Sequence, residues 1–253
     1  MKNKKLLISI TVIFLIALYS CIYFKLSLHS AKTTSISNNN ITPKNKMLPT
    51  KSGDINLDQQ TYSDYYIQKV TVYMNSYIKQ GKIVFLGDSL TDIGEWNELL
   101  DNPDILNRGI SDDTTSGTLN RLSEIIQLKP RKIFIMLGIN DIGKGLSTKE
   151  ITKNYSKILE NIKKNLPNTT IYVESVLPIN KDLFKTNTSE KQIIDLNASL
   201  NKLCKNSNVQ YIDLYHLFTL PNENKLSYKY TVSGLHINGD GYRVWGDALK
   251  PYL

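Results

Sequence analysis

Lys82-Ile83-Val84-Phe85-Leu86-Gly87-Asp88-Ser89-Leu90-Thr91 starts as a short apolar run and ends in a polar turn. The run is rich in β-branched and aromatic residues, as expected of a strand buried on both faces. Gly87 lets the backbone turn sharply. The Asp-Ser step behind it suits the start of a helix, where short polar side chains accept from unpaired N–H groups. A strand handing over to a helix in this way is the unit from which parallel sheets are built.

The same reading extends along the chain. Ile105 to Arg108, Lys132 to Leu137, Thr170 to Val176 and Val209 to Leu214 are further strand-like runs. Helical patterns separate them: Tyr62 to Gln80, Thr115 to Leu128, Thr148 to Leu166, Ser189 to Asn206 and Gly239 to Leu249. Leu119, Leu122, Ile125 and Ile126 share one face of the second, as a helix covering a sheet requires. The alternation predicts an α/β fold with a parallel sheet and helices on both sides, and ligands bind such sheets beyond the carboxyl ends of the strands.

The N-terminus is different. Lys2, Lys4 and Lys5 precede an apolar run from Leu6 to Phe24, about the length needed to cross the hydrocarbon core as a helix. The expected organisation is a cytoplasmic tail (1–5), a signal anchor (6–24), a polar linker (25–60) and a domain at 61–253, with the domain outside the cell membrane. A cleaved signal peptide and a lipoprotein signal ending at Cys21 remain open, and both also place the domain outside the cytoplasm. Net charge is +8, but residues 61–253 retain only +2, which argues against a nucleic-acid-binding face. Cys21 and Cys204 make neither a disulfide framework nor metal-binding spacing.

Four segments bring polar residues to strand ends. Gly87-Asp88-Ser89-Leu90 offers a serine nucleophile, and Asn107-Arg108-Gly109-Ile110 a glycine whose N–H can approach a ligand. Gly138-Ile139-Asn140-Asp141 contributes an amide donor, and Gly234-Leu235-His236 a base. With these blocks in this order, residues 80–250 resemble the SGNH (GDSL-like) hydrolase superfamily, and most closely its acetylhydrolase-like and lysophospholipase-like branches. The resemblance implies a flavodoxin-like three-layer α/β/α sandwich around a central parallel five-stranded sheet. It also implies Ser89 as nucleophile, His236 as base, and an oxyanion hole of the Ser89 N–H, the Gly109 N–H and Asn140. It implies no cofactor or metal. The activity it suggests is hydrolysis of small acyl esters, such as acetyl groups on carbohydrate, with a lysophospholipase or thioesterase as the alternative.

One position departs from that pattern. The family usually carries an acid three residues before the histidine, and here that residue is Ser233. A Ser-His dyad is one outcome, with the imidazole held by the Ser233 hydroxyl or a carbonyl of residues 231–233. A recruited acid such as Asp213 is another, and a catalytically silent binding module that keeps Ser89 and His236 is a third. Asp88 and Asp141 read as residues that brace turns. Arg108 either holds an anionic substrate or pairs with a carboxylate, and Trp96 either lines an acyl or sugar pocket or packs in the core. His216 reads as a packed or surface residue, and the tyrosines of the first helix as packing.

Overall fold

The computed structural model describes residues 55–220 and 222–253. The expected tail, anchor and nearly all of the linker lie outside the described residues, and no helix among those described is long and apolar enough to cross a membrane. Packed structure begins ahead of Thr61: Ile55 and Leu57 are buried against the first helix, α1 (Asp64–Met74), with Tyr66, Ile67, Val70, Tyr73 and Ile110. This helix is shorter than its sequence pattern suggested. Asn75 ends it, turning both its backbone N–H and its side-chain amide back to the Thr71 carbonyl.

Five parallel strands form the sheet in the order β2-β1-β3-β4-β5: β1 (Ile83–Gly87), β2 (Ile105–Gly109), β3 (Lys132–Met136), β4 (Thr170–Glu174) and β5 (Gln210–Ile212). Successive side chains alternate between faces, so β1 feeds two separate cores. Val84 and Leu86 pack with α4 (Thr115–Gln127), α6 (Thr148–Asn165) and α7 (Glu190–Asn206). Ile83 and Phe85 pack on the other side with Trp96 of α3 (Trp96–Leu99) and with Tyr242, Trp245 and Leu249 of α9 (Gly239–Leu249). Each such large apolar side chain contributes about 1.5–3 kcal/mol when fully buried. The result is the expected α/β/α layering.

Helix starts are written locally. Ser147 and Ser189 open α6 and α7 with reciprocal capping boxes to Glu150 and Gln192. Short helices the sequence reading did not separate also appear at strand ends: α2 (Ser89–Ile93), α5 (Ile139–Gly143) and α8 (Tyr215–Phe218). The strand order reverses direction between β1 and β3, leaving a crevice at their carboxyl ends where ligands bind in such sheets. Ser89 follows β1 and Asn140 follows β3, so topology alone brings both to that crevice.

Candidate active site

Ser89 is the first residue of α2. Asp88 caps that helix by accepting a hydrogen bond from the Leu90 N–H at 3.0 Å. Burial pushes the Asp88 carboxyl up to about 7 despite that bond, with the nearby carboxylates adding to the rise. It braces the turn, and among the described residues it makes no hydrogen bond to the histidine. Across the crevice, His236 Nε2 lies 2.9 Å from Ser89 Oγ, a pair separated by most of the domain's sequence. Partial burial lowers the imidazole pKa from its usual value, which keeps Nε2 free to accept a proton near neutrality.

The histidine loop is held through its backbone. Thr231 Oγ1 donates to the His236 carbonyl at 2.6 Å, and Ser233 Oγ accepts the His236 N–H at 3.0 Å. Gly234 sits at φ +82, and a side chain there would meet the Asn180 carbonyl, so the loop is fitted against residues 180–184. The Ser233 hydroxyl is therefore spent on the main chain. Among the described residues nothing is hydrogen-bonded to His236 Nδ1. Asp213 is engaged elsewhere, accepting the Tyr215 N–H and lying 3.6 Å from the exposed His216.

Several expected roles change once side chains are placed. Gly109 does not offer its N–H to a substrate, because that N–H donates to Asn107 Oδ1 at 2.8 Å. The glycine is needed for packing, since a Cβ would lie 2.2 Å from the Asp92 nitrogen in α2. Arg108 is buried, stacks 4.3 Å from the Tyr73 ring and faces Glu124, so it does not reach a substrate. Trp96 is fully buried among Phe85, Tyr242 and Trp245, and its indole N–H donates to the Thr91 carbonyl, so it lines no acyl or sugar pocket. Asp141 accepts both the N–H and the hydroxyl of Thr115 and fastens α4 to the end of β3.

The sequence reading missed Asp112. It stands at φ +65, a left-handed backbone that aspartate tolerates better than most residues, and its N–H donates to no partner among the described residues. Its neighbours are tied to both walls of the crevice. The Ile110 N–H donates to the Gly87 carbonyl at 3.1 Å, and Asn140 Nδ2 donates to the Asp113 carbonyl at 2.9 Å. That bond uses one Asn140 amide hydrogen and leaves the other. The signal in the sequence is the paired Asp112-Asp113 in a turn, a weaker mark than a glycine. Behind the turn, the fully buried Arg121 joins Asp113, Glu124 and the carbonyls of Gly87 and Arg108. A serine with a hydrogen-bonded imidazole, at a crevice whose adjoining turns carry an unspent backbone N–H and an amide, has the parts for acyl transfer.

Residues 85–244 match the GDSL-like lipase/acylhydrolase family. No curated protein matches the sequence. Among solved structures, the chain is similar to a Streptococcus pneumonia protein provisionally described as a platelet activating factor, at 26% identity and a TM-score of 0.67, covering 74% of this chain and 90% of that one. It is similar to a GDSL-like lipase from Bacteroides thetaiotaomicron at 22% identity and TM-score 0.65, covering 74% and 96%. It also resembles a variant acetyl-xylooligosaccharide esterase from Geobacillus Stearmophilus at 18% identity and TM-score 0.56, covering 68% and 93%.

Proposed function

We propose that this chain, which belongs to the GDSL-like lipase/acylhydrolase family, is a serine esterase acting on small acyl esters. The observation that carries the reading is the 2.9 Å contact between Ser89 Oγ and His236 Nε2 at the sheet's topological switch point. In the mechanism, His236 Nε2 takes the Ser89 proton as Oγ attacks the ester carbonyl. The oxyanion is held by the Ser89 N–H, the Asp112 N–H and the Asn140 amide, with Asp112 taking the place first assigned to Gly109. His236 returns its proton to the departing alcohol, and water then releases the acid through the same base.

The finer reading is an acetylesterase acting on carbohydrate outside the cytoplasm, held at the membrane by Leu6–Phe24. Its support is the apolar N-terminal run and the acetylesterase named among proteins of similar fold. A lysophospholipase-type enzyme is the alternative within the same chemistry. That no described residue is hydrogen-bonded to His236 Nδ1 favours one reading of another class, a ligand-binding module with little turnover. Losing the triad carboxylate costs on the order of ten-thousandfold in a serine protease, about 5 kcal/mol of transition-state stabilisation.

Release of nitrophenol from acetyl, butyryl and octanoyl esters, with Ser89→Ala as control, tests both. Serine-dependent turnover that declines with acyl length is the expected result. A folded protein without serine-dependent turnover puts the binding module first.

A further inference from the structure

Asp92 lies one helical turn beyond Ser89 on α2 and accepts hydrogen bonds from three residues. Two of them come from α1: Lys69 Nζ at 2.6 Å and the Tyr65 hydroxyl at 2.6 Å. The third is Ser111, which donates through its N–H at 3.1 Å and its hydroxyl at 2.9 Å. Three of these four bonds converge on Oδ2 and the Lys69 bond is on Oδ1. Burial alone would raise the Asp92 pKa, and the bonds from Lys69, Tyr65 and Ser111 outweigh it and hold the carboxyl below its usual value. Ser111 immediately precedes Asp112, the left-handed residue whose N–H is unspent.

We propose, building on the esterase reading, that two polar side chains of α1 brace the oxyanion turn. Its Lys69 and Tyr65 hold the Asp92 carboxylate, and Asp92 is a positioning residue that fixes Ser111 and thereby aims the Asp112 N–H at the oxyanion. A left-handed conformation is disfavoured for a residue with a side chain, so the turn needs an external hold, and Asp92 supplies it from the nucleophile's own helix. Nucleophile and oxyanion donor are then set relative to each other by one carboxylate. Tyr73 adds a second tether, its hydroxyl donating to the Gly109 carbonyl at 2.7 Å. The residues that match the family begin at 85, so Tyr65 and Lys69 stand outside them while Asp92 and Ser111 lie within.

Docking of α1 is a separate matter. It rests on Tyr66, Ile67, Val70 and Tyr73, which are buried, whereas Tyr65 is 43% exposed and the Lys69 side chain 27%. The polar pair can therefore be removed with the helix still docked. The experiment is steady-state hydrolysis of nitrophenyl acetate by the full chain carrying Lys69→Met with Tyr65→Phe. Wild type, Lys69→Arg, Ser89→Ala and the exposed control Val72→Ala are run in parallel, with thermal melts of each. The double variant should lose kcat by on the order of tenfold at unchanged KM, because small displacements of catalytic groups cost rate rather than binding. Lys69→Arg, which keeps a cation beside Asp92, should retain most of the wild-type rate, and Val72→Ala should match wild type. Wild-type kcat in the double variant, or an equal loss in Val72→Ala, overturns the clamp. Turnover that is absent in wild type or survives Ser89→Ala overturns the esterase reading, and the clamp with it.

Discussion

On the nucleophile's side of the crevice, Asp88, Asp92, Asn107 and Arg121 spend their polar atoms on the turns around Ser89 and Asp112, and glycines let the backbones touch. On the histidine's side, among the described residues, Thr231 and Ser233 bond to the main chain and the imidazole is hydrogen-bonded to Ser89 alone. Besides its apolar packing, α9 meets the sheet at one buried carboxyl, Glu174, which receives the Trp245 indole N–H at 2.5 Å. The first side is specified by many charged and hydrogen-bonded groups. The second is a well-held loop carrying a loosely supported base. In enzymes of this chemistry, precise donors around the oxyanion often contribute the largest single effect, so a chain can keep that half fully built while the other half is pared down.

The largest expected effect lies on the histidine's side. Glu174 is buried with an indole donor and, among the described residues, no ion-pair partner, and burial pushes its pKa up to about 8. In the unfolded chain it titrates near its ordinary value of 4.5. Between those values the folded protein binds more protons than the unfolded one, so stability falls as pH rises. The contribution is complete below pH 4.5 and lost as pH passes through about 8, up to about 5 kcal/mol in all. Glu174→Gln keeps an acceptor for Trp245 and does not titrate. At pH 9 its urea midpoint should exceed that of wild type, and at pH 4.5 the two should nearly coincide. A difference that does not change with pH would show that Glu174 is not held neutral.

The next effect breaks the crowded side. Gly109→Ala places a Cβ against the Asp92 backbone, which cannot rotate away as a side chain can. Overpacking typically costs about 1–3 kcal/mol, and a main-chain neighbour puts this case toward the upper end. Chemical denaturation should show that loss, together with reduced activity as α2 and the Ser111–Asp112 turn are pushed apart. Wild-type stability would mean that the two segments are less tightly apposed than they stand here.

The same contrast marks what the sequence made legible. Strand runs such as Ile83–Leu86, the helix patterns and the four polar blocks were readable because apolar periodicity and chain order carry them, and topology then brings Ser89 and Asn140 together. The helix over 62–80 was read too long, because nothing in its pattern announces that Asn75 folds back on Thr71. Gly109 reads as the oxyanion donor because glycine is the usual mark of a close approach, yet the Asn107 side chain two residues back claims that N–H. Arg108 and Trp96 looked available because a residue's burial depends on contacts distant in sequence, with Tyr73 and Glu124 for one and Tyr242 and Trp245 for the other. The Asp92 clamp joins three segments and has no one-dimensional signature.

Ser233→Asp sharpens the comparison from the other direction, by giving the histidine a partner. Ser233 Oγ already accepts the His236 N–H, and an aspartate can keep that role with one oxygen while turning the other toward Nδ1. A carboxylate there stabilises the imidazolium formed as Ser89 attacks. The expected gain in kcat/KM is about tenfold, worth about 1.4 kcal/mol, well short of the full triad effect because the loop is fitted around serine. The pH profile separates this from a general improvement in folding. In wild type, burial lowers the His236 pKa, so the acid limb should have its midpoint below 6.5. In the variant the added charge favours the protonated ring and should move that limb upward. A faster enzyme with a shifted limb would show that the histidine's side lacks only a charge. An unchanged rate with an unmoved limb would show that the carboxylate does not reach Nδ1, and that the loop's backbone bonds alone orient this base.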